Sequence, residues 1–262
     1  MWLRALHSSL CAILVLSTAA GREMRVAPNA SAAPVNQLSV AGNACGPAAL
    51  LNAFRFGGDN WRRASDAITG KNDRERVLTV IREIGMRPSK HMQGRARWSR
   101  RGVSVADMCD MANEMCAGKY LPFVVDEVFF LKPGETSARL LKRVHQRLDK
   151  SLAKGLPPVL SIRRHALRAG QWVVIDAHFV TITGVSRKLE KNESSFPVQY
   201  IDPWGGKRCE GVIGIPQPAF FADSDGQSSC LEAVFPQSRV GAKQVRKDER
   251  SVLAVSAGIG CW

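Results

Sequence analysis

The strongest constraint on the fold is a change in residue pattern at Gly155. Before it, apolar residues recur at the spacing of one helix face over residues 61–84, 103–116 and 136–154. After it, short β-branched and alternating segments predict strands, most clearly at residues 177–185. Helices followed by a run of strands predict an α+β fold, in which an N-terminal helical part packs on a C-terminal antiparallel sheet.

The first 20 residues carry the pattern of a secretory signal peptide. Arg4 supplies the positive start, residues 10–16 are an apolar run shorter than a membrane span, and Thr18-Ala19-Ala20 resembles a cleavage site. We therefore expect a secreted or periplasmic protein without stable membrane insertion. An uncleaved N-terminal anchor is the alternative.

The remainder of the chain divides into three segments. Residues 21–35 are rich in Ala, Pro, Ser and Asn, which predicts a flexible leader. Residues 36–238 are predicted to form one folded domain, for which a hydrophobic content of 45% is ample. Residues 239–262 are a basic and then apolar tail, whose end is a candidate closing strand.

The formal net charge of +14 raises the question of an anionic partner. Basic residues are scattered, and only residues 95–101 combine their density with an aromatic side chain. Because no nucleic-acid-binding motif accompanies this segment, we expect no nucleic-acid partner. For an exported protein the alternatives are a solvated basic surface, and attraction to anionic envelope polymers or acidic substrates.

The cysteines and histidines give no sign of a metal site. The sequence has no CxxC pair and no HExxH motif, so neither a metal nor another cofactor is predicted. Cys209 and Cys230 flank one C-terminal segment and are the best candidates for a disulfide. Three histidines lack a partner motif and are expected at the surface: His91, His145 and His165.

Cys45 stands at the start of a predicted helix. Gly46 and Pro47 form the turn and the first helical positions, and good helix formers follow. The positive end of a helix dipole favours the charged form of a thiol, which is the arrangement of a cysteine nucleophile. Such a thiol also needs a base.

His178 and Asp202 are the predicted partners of this thiol. His178 begins one predicted strand and Asp202 ends the next, so the two side chains belong to neighbouring strands. An imidazole can take the proton of a thiol, and a carboxylate can fix the orientation and tautomer of the imidazole. The sequence therefore predicts a Cys45–His178–Asp202 catalytic triad.

These residues also carry a family resemblance over residues 35–206. Three segments resemble the motifs of C39-type, papain-like cysteine peptidases: Cys45-Gly-Pro-Ala-Ala-Leu50, His178-Phe-Val-Thr-Ile-Thr-Gly184 and Tyr200-Ile-Asp-Pro-Trp-Gly-Gly206. The resemblance implies a papain-like fold with the cysteine on a central helix. It also implies that Cys45 is the nucleophile, His178 the general base and acid, and Asp202 the orienting carboxylate.

The resemblance further implies an amide that stabilises the oxyanion. Family members carry a glutamine shortly before the cysteine, and Gln37 is the candidate, although it lies further from Cys45 than the family spacing. Asn43 is the alternative. A cysteine peptidase that cleaves peptide bonds through a thioester is the leading interpretation. A peptide-binding module without catalysis, a transglutaminase-like acyltransferase and a cell-wall peptide amidase are the alternatives.

Overall fold

The computed structural model describes residues 22–40, 42–217, 220–221 and 228–262. The predicted signal peptide, residues 1–20, lies outside these residues. Within them the helices are α1 (Cys45–Phe56), α2 (Asp59–Asp66), α3 (Asp73–Thr79), α4 (Val105–Cys116) and α5 (Ser137–Ala153). A 3₁₀ turn spans Gln37–Ser39, and a π-helical segment, Val80–Gly85, continues α3.

The described strands form one large antiparallel sheet and one small hairpin. The strands are β1 (Met24–Val26), β2 (Trp98–Ser99), β3 (Gly102–Val103), β4 (Val125–Val128), β5 (Val159–Arg168), β6 (Gln171–Ser186), β7 (Ser195–Asp202), β8 (Lys207–Gly214), β9 (Leu231–Val234) and β10 (Ser251–Gly260). β2 and β3 pair only with each other, and the other eight strands belong to the large sheet.

Six strands of the large sheet close into an antiparallel barrel. They follow the order β6-β5-β10-β9-β8-β7, and a further pairing of β7 with β6 completes the ring. β1 pairs with the C-terminal end of β6, at residues 184–186, and β4 pairs with the C-terminal end of β10, at residues 257–260. Register shifts in β6, at its pairings with both β5 and β7, let this long strand bend around the barrel.

The predicted papain-like α+β architecture is therefore wrong. The sheet is a closed barrel that dominates the molecule, rather than an open sheet beneath an N-terminal helical part. The barrel closes because the tail contributes β10, which is part of the barrel wall and pairs with β5 on one side and β9 on the other. The sequence pattern predicted some of the strands, most clearly over residues 177–185, but contained no signal for the long-range pairing that closes the barrel.

The segments on both sides of residues 36–238 contribute to the sheet. Within residues 21–35, β1 pairs with β6 from Met24 to Val26, and Ala27 and Val35 are buried. At the other end, the apolar part of the tail, where the sequence has a candidate closing strand, forms the ten-residue β10. Both segments therefore belong to the fold.

Two buried clusters hold the helices on the barrel. The first joins α1 to α4, with members such as Leu50, Phe54 and Met108, and it reaches β6 through Phe179. The second joins the barrel strands to the apolar face of α5, which contributes Leu140, Leu141, Val144 and Leu148. Each such side chain stabilises the fold by roughly 1.5–3 kcal/mol through its burial.

Side-chain caps start two of the helices where the sequence predicts them. Ser104 accepts a hydrogen bond from the Asp107 amide at the start of α4. Thr136 does the same for the Arg139 amide at the start of α5. These caps satisfy amides that have no partner within a helix, so they fix where each helix begins.

Candidate active site

Cys45 is the first residue of α1, and only 8% of it is exposed. The helix runs for 12 residues along β6 and directs its N-terminal end toward the site. Thr181 of β6 fixes this contact, because its Oγ1 donates a 2.9 Å hydrogen bond to the Ala49 carbonyl of α1. The thiol is therefore held by a rigid helix that is bonded to the strand carrying the histidine.

His178 and Asp202 meet between the paired strands β6 and β7. His178 Nε2 lies 2.8 Å from Asp202 Oδ1, and both residues are buried. Cys45 lies beside the same imidazole and is, with Asp202, one of the two groups that raise the pKa of His178. Because Nε2 faces the carboxylate, Nδ1 is the ring nitrogen left for the thiol. The structure thus brings the three predicted triad residues together.

The surroundings of His178 favour its protonated form. Burial is the largest single influence and lowers the pKa of His178, but hydrogen bonds and charges from Asp202 and Cys45 outweigh it. The result is a pKa of about 9. At neutral pH an imidazolium therefore lies between the thiol and the carboxylate.

The turn after β7 holds the Asp202 carboxylate in place. Its Oδ1 also accepts a 2.8 Å hydrogen bond from the Trp204 amide. Gly205 and Gly206 follow with φ of +92° and +61°, the left-handed region that glycine adopts without strain. The sequence Asp-Pro-Trp-Gly-Gly is thus explained by a turn that aims its first side chain at the histidine.

Of the two amides considered for the oxyanion, Gln37 lies beside this turn. Its backbone N–H donates a 2.8 Å hydrogen bond to the Pro203 carbonyl, and the residue is only 3% exposed. Its Oε1 is buried without a hydrogen-bond partner among the described residues. Asn43 is exposed and its Nδ2 donates to the Arg100 carbonyl at 2.8 Å, so that amide is already engaged.

Three structural elements around the site were not anticipated from the sequence. Asn52 is buried in α1, where its side chain bonds both the amide and the carbonyl of Val35. The β2–β3 hairpin covers the start of α1, since Trp98 Nε1 donates a 2.9 Å bond to the Asn43 carbonyl. Asn36 Oδ1 accepts from the Leu38 amide and from the Gly205 amide across the site. Of these three features, only the hairpin that carries Trp98 stood out in the sequence, where residues 95–101 combine dense basic residues with an aromatic side chain.

The cysteines outside the candidate site form no disulfide among the described residues, in contrast to the predicted Cys209–Cys230 bond. All six cysteines of the described residues are free and buried, so the expected Cys209–Cys230 disulfide is not present. Burial raises the pKa of Cys109, Cys116 and Cys230 to about 12. These thiols are therefore uncharged near neutral pH, which is the state of an inert buried cysteine.

Two of the three histidines expected at the surface are buried. His145 is 5% exposed, packs edge-on against Phe196 and bonds the Ser186 carbonyl through Nε2. His165 is 4% exposed and packs against Phe221. Only His91 lies at the surface. Their basic sequence surroundings gave no sign that His145 belongs to the buried face of α5 and His165 to a buried position of β5.

Among the residues that the structure describes, no three side chains of His, Cys, Asp or Glu gather into a group that could hold a metal ion. None of the helices in that part of the chain is both long enough and apolar enough to cross a bilayer.

Comparisons with known proteins found no relative of this chain. A scan against protein-family models, a search of curated proteins and a search of solved structures each gave no match.

Proposed function

We propose that this chain is an exported cysteine peptidase that hydrolyses peptide bonds through Cys45, His178 and Asp202. The observation that carries the proposal is the buried imidazole of His178, whose Nε2 lies 2.8 Å from Asp202 Oδ1 and which has Cys45 beside it. A thiol, a base and an orienting carboxylate in this sequence of contacts are what nucleophilic catalysis requires.

The first half of the reaction forms an acyl-enzyme. The Cys45 sulfur attacks the carbonyl carbon of the peptide bond while His178 holds the proton. As the C–N bond breaks, His178 gives that proton to the departing amine, and a thioester remains on Cys45. The elevated pKa of His178, about 9, keeps the proton available at neutral pH.

The second half returns the enzyme to its starting state. His178, now neutral, takes a proton from water, and the resulting hydroxide equivalent attacks the thioester carbon. The C–S bond breaks, the carboxylic acid product leaves, and the Cys45–His178 pair is restored. Throughout, Asp202 fixes the imidazole and stabilises its positive charge.

Gln37 is proposed as the oxyanion donor, together with the backbone N–H of Cys45. In support, Gln37 is buried beside Pro203, whereas the Asn43 side chain is bonded to the hairpin. Donors that are already in place stabilise the developing negative charge without reorganisation.

The resemblance of three segments to C39-type peptidases supports the same chemistry, and the proposal does not depend on the fold of that family. The pattern of residues 1–20 supports export.

Cleavage of a broad peptide library by the purified chain tests the proposal, with products read by mass spectrometry. We expect cleavage by the wild type and loss of at least 100-fold in rate for Cys45→Ala and His178→Ala. Cys230→Ala is the matched control, because it removes another buried thiol away from the site. Equal products from wild type and Cys45→Ala would refute the proposal.

The form of the products separates the alternatives. Products that gain the elements of water indicate a hydrolase. Products that gain an added amine instead indicate an acyltransferase. Peptides that bind unchanged to both proteins indicate a binding module.

A further inference from the structure

The β2–β3 hairpin is attached to the residues just before the nucleophile. Asn43 donates its Nδ2 to the Arg100 carbonyl at 2.8 Å and receives the Trp98 indole N–H on its own carbonyl at 2.9 Å. A methyl group placed on Gly46, the residue after Cys45, would lie 2.4 Å from Val103 Cγ1. The hairpin is therefore in close contact with the start of α1.

The tip of this hairpin is held in a defined position. Trp98 pairs with Val103 and Ser99 with Gly102, which leaves Arg100 and Arg101 at the turn. Trp98 and Val103 also pack against the buried cluster of the helices. The two arginines are thus carried at the rim of the candidate active site by an anchored segment.

Both guanidinium groups are available for a ligand. Arg100 and Arg101 are exposed, and neither forms an ion pair with any residue of the described part of the chain. Two acidic side chains of α4 are bonded to other residues: Glu114 pairs with Arg87 and Arg97, and Asp107 accepts from the Ser104 hydroxyl. Two positive charges therefore remain uncompensated at this rim.

We propose that Arg100 and Arg101 form a subsite that binds a carboxylate side chain of an acidic peptide substrate. Guanidinium groups recognise carboxylates through two parallel hydrogen bonds, and lysine does not reproduce this geometry. The inference rests on the proposed peptidase function, whose substrate class it specifies. It also gives a local role to part of the net charge of +14.

Matched peptides that differ only by Glu or Gln test the subsite. The pair is scanned over the three positions on either side of the cleaved bond, and kcat/KM is measured for each peptide. We expect the Glu peptide to be preferred about 10-fold at one position, as for a charge-assisted contact at a partly solvated site. The ratio of kcat/KM for the Glu peptide to that for the Gln peptide should approach one in Arg100→Ala/Arg101→Ala. It should stay intermediate in Arg100→Lys/Arg101→Lys.

A second double variant separates the subsite from the overall charge. Arg139→Ala/Lys142→Ala removes two exposed cations from α5, which packs on the other buried cluster. This variant should keep the full Glu preference. An equal fall of the preference in both double variants would overturn the proposal, because it would show that only the general positive field matters.

Binding to Cys45→Ala makes the result independent of turnover. The fluorescence anisotropy of labelled Glu and Gln peptides is measured with this variant, with and without the two arginine substitutions. Tighter binding of the Glu peptide that requires both arginines supports the subsite even if the wild type cleaves nothing, in which case only the peptidase proposal fails. Cleavage with no Glu preference, and no arginine-dependent binding, refutes the subsite and leaves the peptidase proposal intact.

Discussion

Replacing Asp202 with Asn tests whether the negative charge of Asp202 keeps His178 protonated. Asp202 Oδ1 faces both His178 Nε2 and the Trp204 amide at 2.8 Å, and an asparagine oxygen can occupy the same place. The turn is therefore kept while the negative charge is lost. The pKa of His178, about 9, lies about 2.5 units above its ordinary value of 6.5. That rise corresponds to about 3 kcal/mol of preference for the imidazolium, to which both Asp202 and Cys45 contribute against burial.

The pH dependence of kcat/KM reports this change. In the wild type, activity should fall as the pH rises through about 9, because the imidazolium that supplies the proton is lost. In Asp202→Asn the fall should move to lower pH by at least about one unit, and the rate at neutral pH should drop by about 100-fold or more.

Asp176→Asn provides the matched control for this experiment. It removes a carboxylate from β6, the strand that carries His178, where Asp176 Oδ2 accepts from the Gly241 amide, and it should leave the pH profile unchanged. An Asp202→Asn enzyme with a wild-type pH profile and a rate within about threefold would show that the Asp202 charge does not set the protonation of His178.

Two further substitutions test the packing around the site and the anchoring of α5. Gly46→Ala should destabilise the fold by about 1–3 kcal/mol in thermal unfolding and slow turnover, since the new methyl lies 2.4 Å from Val103 Cγ1. Gly58→Ala, with its nearest described neighbours 3.9 Å away, should do neither. Arg143→Met should lower the free energy of unfolding by about 2 kcal/mol at pH 7, because Arg143 forms ion pairs with both Glu127 and Glu135. Burial acts to raise the pKa of Glu127, but arginine hydrogen bonds outweigh it and lower that pKa below 4.5. The stability advantage of the wild type over Arg143→Met should therefore be complete above pH 4.5 and be lost as the pH falls through the lowered pKa; an advantage that does not decline at any pH below 4.5 would contradict this.

Local features of the fold were predictable because their causes lie within a few residues. The Ser104 cap and the apolar spacing that follows it are enough to place α4. The closure of the barrel has no such local cause. It depends on β6 pairing with both β5 and β7, and on β10, which the tail contributes more than 60 residues after β6 ends. The three residues of β1 are likewise too few to show a period.

The candidate site was predictable to the extent that its residue types are chemically distinctive. Cys45, His178 and Asp202 fit one mechanism, and the structure brings them together. Thr181 and Asn52, which position α1, appear in the sequence as single polar residues within apolar runs. Their function depends on carbonyl and amide groups that come near only in the folded chain.

The proposed role of His178 is to make the Cys45 thiol a nucleophile, and the alkylation rate of Cys45 reports on that role without any substrate. The reduced protein is treated with iodoacetamide across pH 5 to 9, and each modified cysteine is identified by peptide mapping. We predict that Cys45 reacts at least about 10-fold faster than Cys209 at pH 6, where an unperturbed thiol is almost wholly protonated, and that His178→Ala removes this advantage. Cys45 reacting no faster than Cys209, or equally fast without His178, would contradict the account.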